Sequence, residues 1–191
     1  MHLETTTAPV GDIISLQEAK EHLNLEHTGD DDLVETIVAD VTARYDGITG
    51  IMGRALRTQT VVLYLDAWPS EIMLPLPPFQ SITSVTYTDS DGNSQTLAAD
   101  QYRTTMRNGV TYIIPAYNVT WPTVRGDTDC IQITWVCGYG SKAVPGPIKR
   151  AMLLEVGDAY EHRETVVVGT TIGKNEMAIK NLITPYRVVE F

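Results

Sequence analysis

Few side chains in this sequence have the types and spacing that metal or enzyme chemistry requires. The densest polar cluster is Tyr160–Glu164, in which His162 lies beside Glu161 and close to Glu164. A histidine and two carboxylates are metal-ligand types, but positions one or two apart do not share a helix face. We therefore interpret this cluster as an exposed helix end whose ion pairs contribute roughly 0–1 kcal/mol each.

Two aspartate-rich segments have a composition that suits calcium, yet both fit another role better. Asp30, Asp31 and Asp32 lack the alternating spacing of a calcium-binding loop. They precede a periodic apolar run, and carboxylates are favoured at a helix N-terminus, so we interpret them as helix-capping residues. Asp89–Asn93 lacks the acid that closes a calcium loop further along the chain, which predicts a plain turn.

The remaining reactive groups match no catalytic motif. Cys130 and Cys137 have no zinc-ligand spacing and lie in or near an apolar run, which favours buried free thiols over a disulfide or a metal site. The segment Gly138–Gly140 lacks the third glycine and the helix start of a phosphate-binding loop. The sequence therefore predicts no catalytic residue, no metal and no cofactor. A small hydrolase with a site built from distant residues is the alternative from the enzyme class.

The charge of the chain is negative and unevenly distributed. Of the net charge of −10, residues 1–50 contribute −9, because Lys20 and Arg44 are their only basic residues. Without a basic stripe, tight binding to the phosphate backbone of DNA is not expected. An acidic surface suits a wall that DNA passes without sticking, a face that meets a basic partner, or a solvated helix surface. The acids of this segment are Glu4, Asp12, Glu18, Glu21, Glu26, Asp30, Asp31, Asp32, Glu35, Asp40 and Asp46.

Nothing in the sequence predicts a membrane span or a secretory leader. No run of about 18 apolar residues is present. The start of the chain, Met1–Thr5, has neither the basic nor the apolar region of a signal peptide. We therefore expect the protein to fold in a reducing cytoplasm.

The periodicity of apolar residues divides the chain into helical ends and a β-rich middle. Ser15–Glu18 is a capping box that predicts a short first helix. Apolar residues recurring mostly every four positions predict a second helix over 33–48. Pro147, well placed in a first helical turn, begins a third predicted helix, and a fourth is predicted over 175–183.

Alternating β-branched and apolar residues predict an antiparallel β module in the middle. Its clearest turn signal is Arg107-Asn108-Gly109, which lies between two alternating runs. The predicted fold class is α+β, a small helical bundle from the N- and C-terminal helices with an inserted antiparallel β module. The predicted organisation is a flexible N-terminal arm over 1–12, a helical core over 13–56 and 145–184, the inserted β module over 57–140, and a C-terminal docking tail over 185–191.

Two segments have compositions that do not provide local partners for their backbone hydrogen bonds and apolar side chains. The tail Tyr186–Phe191 is strand-like and apolar, and Thr165–Gly173 is rich in glycine, valine and threonine. The second segment is predicted to be an extended arm or a mobile loop. Because such segments commonly complete themselves on a partner, for instance at a sheet edge, they indicate a role in assembly.

A series of short segments follows an order typical of one protein family. The segments are Ile14–Leu23, Asp30–Val34 with Tyr45, Thr49-Gly50 and Arg54–Leu56, Leu74–Pro78, Ile82–Tyr87, Gly138–Gly140 with Val144–Lys149, Tyr160–Glu164, and Leu182–Arg187. In this order they resemble the head–tail connector (neck adaptor) family of tailed double-stranded-DNA phages and prophages. The resemblance covers nearly the whole chain. The sequence departs from the commoner form in a longer arm before Ile14 and in the extension Val188–Phe191.

This resemblance implies a structural, non-enzymatic role in the neck of a virion assembled in the cytoplasm of a bacterial host. Members of the family form a ring beneath the portal protein, usually twelvefold, and extend the DNA channel towards the tail. They provide the platform for stopper or tail proteins, and DNA passes through without sequence-specific binding. A closed ring requires two different faces on each subunit. A stopper or tail-completion protein is the alternative within the same class.

Two sets of residues are candidate contact sites on this resemblance. We hypothesise that the helical core forms the ring, that the tail docks on the portal, and that the loop lines the channel or meets a neighbouring subunit. The docking residues are Pro185, Tyr186, Arg187, Val188, Val189 and Phe191. The loop residues are Val166, Val167, Val168, Thr170 and Thr171.

Overall fold

The computed structural model describes residues 1–140, 142–162 and 172–188, which fold into two compact units. The first, here called the β unit, comprises Met1–Val10 and Arg57–Ser141. The second, the helical unit, comprises Gly11–Leu56 and Lys142–Phe191. Each unit is therefore built from segments that are distant in the sequence.

A five-stranded antiparallel sheet forms most of the β unit. Alternation along the strands places Ile131, Ile133 and Trp135 on one buried face, while Gln132 is exposed. In spatial order the strands are β1 (His2–Val10), β2 (Thr58–Leu65), β8 (Ile131–Cys137), β4 (Phe79–Thr88) and β5 (Ser94–Thr96). Strand β8, which contributes the fully buried Ile131, Ile133 and Trp135, thus lies at the centre of the sheet.

A second, three-stranded antiparallel sheet completes the β unit. Its spatial order is β3 (Ile72–Leu74), β7 (Val110–Pro115) and β6 (Tyr102–Arg107). The turn between β6 and β7 has positive φ at Asn108 (51°) and Gly109 (79°), which is the conformation that asparagine and glycine favour in tight hairpins. The hairpin signal in the sequence is therefore confirmed.

The helical unit contains four helices and a short 3-10 turn. The helices are α1 (Leu16–Leu23), α2 (Asp31–Tyr45), α3 (Gly146–Glu161) and α4 (Ile172–Ile183), and the turn is Thr184–Tyr186. Contacts join α3 to each of the other three helices. The Oγ atom of Ser15 accepts a hydrogen bond from the Glu18 N–H over 3.2 Å, which is the predicted cap of α1.

The fold is α+β with antiparallel sheets, as predicted. Helices from both ends of the sequence pack together, and the strands between them, joined by the N-terminal strand β1, form separate sheets. Among the described residues, no helix is long and apolar enough to cross a membrane.

The N-terminal segment differs from the flexible arm expected over residues 1–12. His2–Val10 forms a nine-residue strand that pairs antiparallel with β2. From Met1 to Pro9 no side chain is buried, so the segment has no apolar periodicity from which a strand could be predicted. Backbone pairing at a sheet edge, not apolar burial, holds it in place.

The described start of the C-terminal tail combines a turn with an extended residue. Thr184–Tyr186 is a 3-10 turn that continues directly from α4, and Arg187 is the first extended residue after it, with φ −66° and ψ 136°. Pro185 favours this turn because its ring restricts φ and its nitrogen donates no hydrogen bond.

Candidate functional site

The C-terminal tail, the first candidate contact site, is folded back onto the helical unit. The side chain of Ile183, the last residue of α4, is only 6% exposed. The Arg187 N–H donates to the Ile183 carbonyl over 3.1 Å, and the Val188 N–H donates to the Met52 carbonyl over 3.0 Å. The described part of the tail is therefore held by its own unit as far as Val188.

The turn that receives the tail follows α2 and spans Gly47–Leu56. The Gly47 N–H donates to the Arg54 carbonyl over 2.9 Å and closes the turn. Asp46 is buried, and its Oδ1 atom accepts a hydrogen bond from the Leu56 N–H over 2.6 Å. A buried carboxylate that accepts a backbone hydrogen bond fixes both ends of the turn.

Two neighbouring residues of this turn meet the tail directly. Gly53 has a φ of +61°, and a Cβ atom built there would lie 2.9 Å from the Val188 carbonyl oxygen. The Nε atom of Arg54 donates a hydrogen bond to the Tyr186 carbonyl. Glycine therefore allows both the left-handed backbone and the close approach of the tail, which the sequence pattern alone does not reveal.

The exposure of the predicted docking residues divides them into two groups. Pro185 and Arg187 are exposed, whereas Tyr186 and Val188 are half-buried. The side chain of Arg187 has no hydrogen bond or ion pair with any other described residue. Val189 and Phe191 lie outside the described residues, as do the loop candidates Val166, Val167, Val168, Thr170 and Thr171.

Partly buried polar contacts connect the helices of the core. Arg44 and Tyr45, at the end of α2, both bind Glu155 of α3, and the Tyr45 hydroxyl donates to Glu155 Oε2 over 2.8 Å. Burial, and next the Glu155 carboxylate, raise the pKa of Tyr45 above its ordinary value. The hydroxyl therefore stays neutral near pH 7 and serves as a structural hydrogen-bond donor.

At the start of α2, the side chains of Asp30 and Asp31 contact other helices, and Asp30 does not cap α2 through its side chain. Asp30 occupies the N-cap position of α2 but makes no side-chain capping bond. Its Oδ2 atom accepts a hydrogen bond from the Tyr160 hydroxyl over 2.5 Å, and Lys20 pairs with Asp31 over 2.5 Å. Asp31 and Asp32 lie in the first turn, where the helix dipole favours acids.

His162, at the centre of the densest polar cluster, lies at an open cleft of the helical unit. Its Nδ1 atom is 3.1 Å from the carbonyl oxygen and 3.5 Å from the Oδ1 atom of Asp158, and its side chain is 44% exposed. The cleft has a volume of about 480 Å³. Among the described residues, no three histidine, cysteine or acidic side chains are grouped to hold a metal ion. Glu164 lies outside those residues.

The other chemistry-bearing residues have structural roles. Asp89 Oδ1 accepts hydrogen bonds from the Asp91 N–H (3.0 Å) and the Asn93 N–H (2.9 Å), so the segment is a turn, as predicted. Hydrogen bonds, first from the Gln95 side chain and then from the Asn93 backbone, lower the pKa of Asp89. Cys130 and Cys137 are buried free thiols, as predicted.

Solved structures of similar fold come from gene transfer agent particles. A chain in the neck of an empty particle, computed with C6 symmetry, is 21% identical, with a TM-score of 0.77 over 100% of this chain and 97% of that chain. Chains from the native virion and from the native neck computed with C12 symmetry have TM-scores of 0.70 and 0.66, identities of 22% and 21%, and the same coverage. No protein-family model and no curated protein sequence matches this chain. At these identities, the likeness shows that the fold is shared along the whole chain.

Proposed function

We propose that this chain is a structural head-to-tail connector, or adaptor, of a phage neck and has no enzymatic activity. It forms a ring under the portal protein, extends the DNA channel and provides the platform for stopper or tail proteins. The observation that carries the proposal is the fold likeness over 100% of the chain to a chain in the neck of a gene transfer agent particle. The ordered segments that resemble the connector family support the same role.

A ring arrangement is supported by the symmetry of the similar necks and by the surfaces of this chain. Two of those necks were computed with C6 and C12 symmetry. In the helical unit, α2 presents the exposed acids Asp32, Glu35 and Asp40 on its outer side. Acidic side chains on a channel wall repel the phosphates of DNA and allow it to slide past. In this proposal DNA therefore moves through the channel without being bound by the protein.

The tail is the proposed portal-docking segment, with Pro185, Tyr186, Arg187, Val188, Val189 and Phe191 as its residues. Of the described ones, Arg187 is the most informative, because its guanidinium is exposed and has no partner among the described residues. An arginine of this kind gives up no contact with a described residue when it engages carboxylates or carbonyls of another protein. The tail then contributes affinity without changing the core.

The loop that contains Val166, Val167, Val168, Thr170 and Thr171 is the proposed channel-facing or inter-subunit segment. All five side chains are uncharged, which suits a surface past which DNA moves. Lysine at Val167 and Thr170 is expected to slow DNA release from assembled particles, whereas serine at the same positions leaves the rate unchanged. Equal release rates for the two variants would contradict this placement.

The proposal is tested by light scattering after size-exclusion chromatography, with the chain alone and with purified portal. Either a ring or a monomer recruited to the portal in a ring-like ratio is expected. Recruitment only by a portal that already carries another adaptor identifies a stopper or tail-completion protein instead. A compact monomer that ignores both contradicts a neck role.

The proposal that the C-terminal tail docks on the portal is tested by one variant and a matched control. Arg187→Glu reverses an exposed charge that has no partner among the described residues, and is expected to lower recruitment to the portal about tenfold or more. Lys142→Glu reverses another exposed basic side chain of the helical unit and is expected to leave recruitment unchanged. Equal recruitment of the two variants shows that the tail is not the docking segment.

A further inference from the structure

The first strand of the β unit, β1, lies beside β2, most of whose side chains are buried, but the described side chains of β1 itself are not buried. From Met1 to Pro9 no side chain is buried. In β2, by contrast, Gln59, Val61, Val62, Leu63 and Leu65 are all buried. The contribution of β1 is therefore mainly to pair with the backbone at the edge of β2. The same strand from another copy of the chain can make this contribution equally well.

The N-terminal end of β1 is held firmly and in regular register. His2 pairs with Tyr64, and their rings stack with centroids 4.3 Å apart. His2 Nδ1 also lies 3.3 Å from Asp129 Oδ1, and the Tyr64 hydroxyl donates to Glu4 over 3.3 Å. These contacts give the tip of the strand a specific position on the sheet.

The C-terminal end of β1 is paired irregularly and leads to a glycine. The register shifts between Thr5 and Thr7 and again between Thr7 and Val10. Gly11 follows with a φ of +90° and with no atom within 4 Å of the position of a Cβ. The chain leaves the β unit at this glycine and returns to it at Arg57. The strand thus has a specific N-terminal end, irregular pairing towards its C-terminal end and an unhindered glycine after it. These are the features of a strand that can swing as a unit about a hinge at Gly11.

We propose that neighbouring copies in the assembled ring exchange their first strands, so that β1 of each copy pairs with β2 of the next. This inference rests on the ring proposed above. The exchanged interface needs no new complementarity, because it repeats the register and the His2–Tyr64 stack found within one chain. Exchange of an identical element is a low-cost route to association. Each subunit donates a strand on one side and accepts one on the other, which is the head-to-tail geometry that closes a ring.

Disulfide trapping in the full-length protein tests the exchange. The double variant His2→Cys with Tyr64→Cys joins residues that are partners in the β1–β2 register. The native thiols Cys130 and Cys137 are both buried and do not interfere. Exchanged strands link one chain to the next, so oxidised assemblies are expected to run as a ladder of covalent multimers on a non-reducing gel. Strands paired within their own chain run as cross-linked monomers and overturn the proposal.

Two further variants secure the interpretation. Thr7→Cys with Thr60→Cys is a second register pair that keeps the His2–Tyr64 stack and is expected to give the same ladder. His2→Cys with Gln132→Cys is the control, because Gln132 is the β8 partner of Tyr64 and lies one strand further from β1. Two strand spacings, about 9.6 Å, exceed the reach of a disulfide, so this variant is expected to give no ladder.

The readouts separate this inference from the proposed function. Rings by light scattering with cross-linked monomers on the gel overturn strand exchange and leave the connector ring in place. Monomers by light scattering, alone and with portal, together with cross-linked monomers on the gel, overturn both. Rings with a covalent ladder support both.

Discussion

The β unit and the helical unit are stabilised by different kinds of contact. In the β unit, Trp135 is fully buried at the centre of the sheet, and the ion pairs lie at the surface, with Arg107 52% and Glu71 39% exposed. In the helical unit the pairs Arg44–Glu155 and Lys20–Asp31 connect different helices, and one partner of each is largely withdrawn from water. Glu155 is 17% exposed although its partner Arg44 is 62% exposed, and Lys20 is 12% exposed beside Asp31 at 29%.

This difference indicates which unit's stability is sensitive to salt, pH and the loss of a charged side chain. Exposed ion pairs are screened by water and salt and contribute little to stability. Partly buried pairs interact more strongly, and the loss of one partner leaves the other charge uncompensated. We therefore expect the stability of the β unit to depend on packing, and that of the helical unit to depend on charge.

The largest effect is expected for Trp135→Ala in the β unit. The side chain is fully buried, and its Nε1 atom has no hydrogen-bond partner among the described residues, so the substitution removes packing alone. Truncation of a buried aromatic residue costs about 3–5 kcal/mol of unfolding free energy. Urea unfolding followed by far-UV circular dichroism measures the loss. The control is Gln132→Ala on the same strand, whose exposed side chain predicts a change within about 0.5 kcal/mol. A loss below about 1 kcal/mol for Trp135→Ala would contradict the packing account.

The next largest effect is expected for Tyr45→Phe in the helical unit. The change removes the hydroxyl that donates to Glu155 and leaves the ring in place. A hydrogen bond to a charged group contributes about 1.5–3 kcal/mol, so a loss of that size is expected in urea unfolding at pH 7. Tyr117→Phe, at an exposed tyrosine, is the control. Equal stabilities of the two variants would show that the polar contacts of the helical core do not matter.

The stabilisation that the Tyr45 hydroxyl provides is also expected to decrease at high pH. Burial and the Glu155 carboxylate raise its pKa above the ordinary value of 10.0, so the fold favours the neutral phenol. The stabilisation is complete below pH 10 and is lost as the pH rises towards the raised pKa. The difference in unfolding free energy between the native protein and Tyr45→Phe should therefore narrow as the pH rises above 10. A constant difference over this range would rule out the linkage.

A smaller effect is expected for Gly53→Ala at the turn that receives the tail. The left-handed backbone costs a residue with a Cβ atom about 1–2 kcal/mol, and the new atom meets the Val188 carbonyl. Gly109→Ala is the control, because Gly109 has a φ of +79° but open space around it. A greater loss for Gly53→Ala measures the tail contact. Equal losses would mean that the tail moves away without consequence.

The smallest effect is expected for Glu71→Gln in the β unit. A hydrogen bond from Arg107 lowers the pKa of Glu71, so its stabilisation is present at pH 7 and is lost as the pH falls through that pKa. Because both side chains are well exposed, urea unfolding at pH 7 is expected to show no measurable change. A clear loss of stability would remove the distinction between the surface pairs of the β unit and the partly buried pairs of the helical unit.

The sequence predicts those elements whose signals are local. The cap at Ser15 and the turn at Asn108-Gly109 depend on residues within a few positions of one another, and both are present in the structure. The pairs Asp30–Tyr160 and Arg54–Tyr186 join residues 130 and 132 positions apart. Their meeting depends on how the helices pack, for which a single sequence has no signal. β1 was missed because backbone pairing leaves no side-chain pattern.

A strand that is held mainly by its backbone places few demands on the identity of its residues. In an evolving lineage, substitutions between Thr5 and Pro9 meet weak selection, whereas those at Val61 or Trp135 disturb the packed sheet. Descendants of one ancestor then lose recognisable similarity at the N-terminus first while retaining its path.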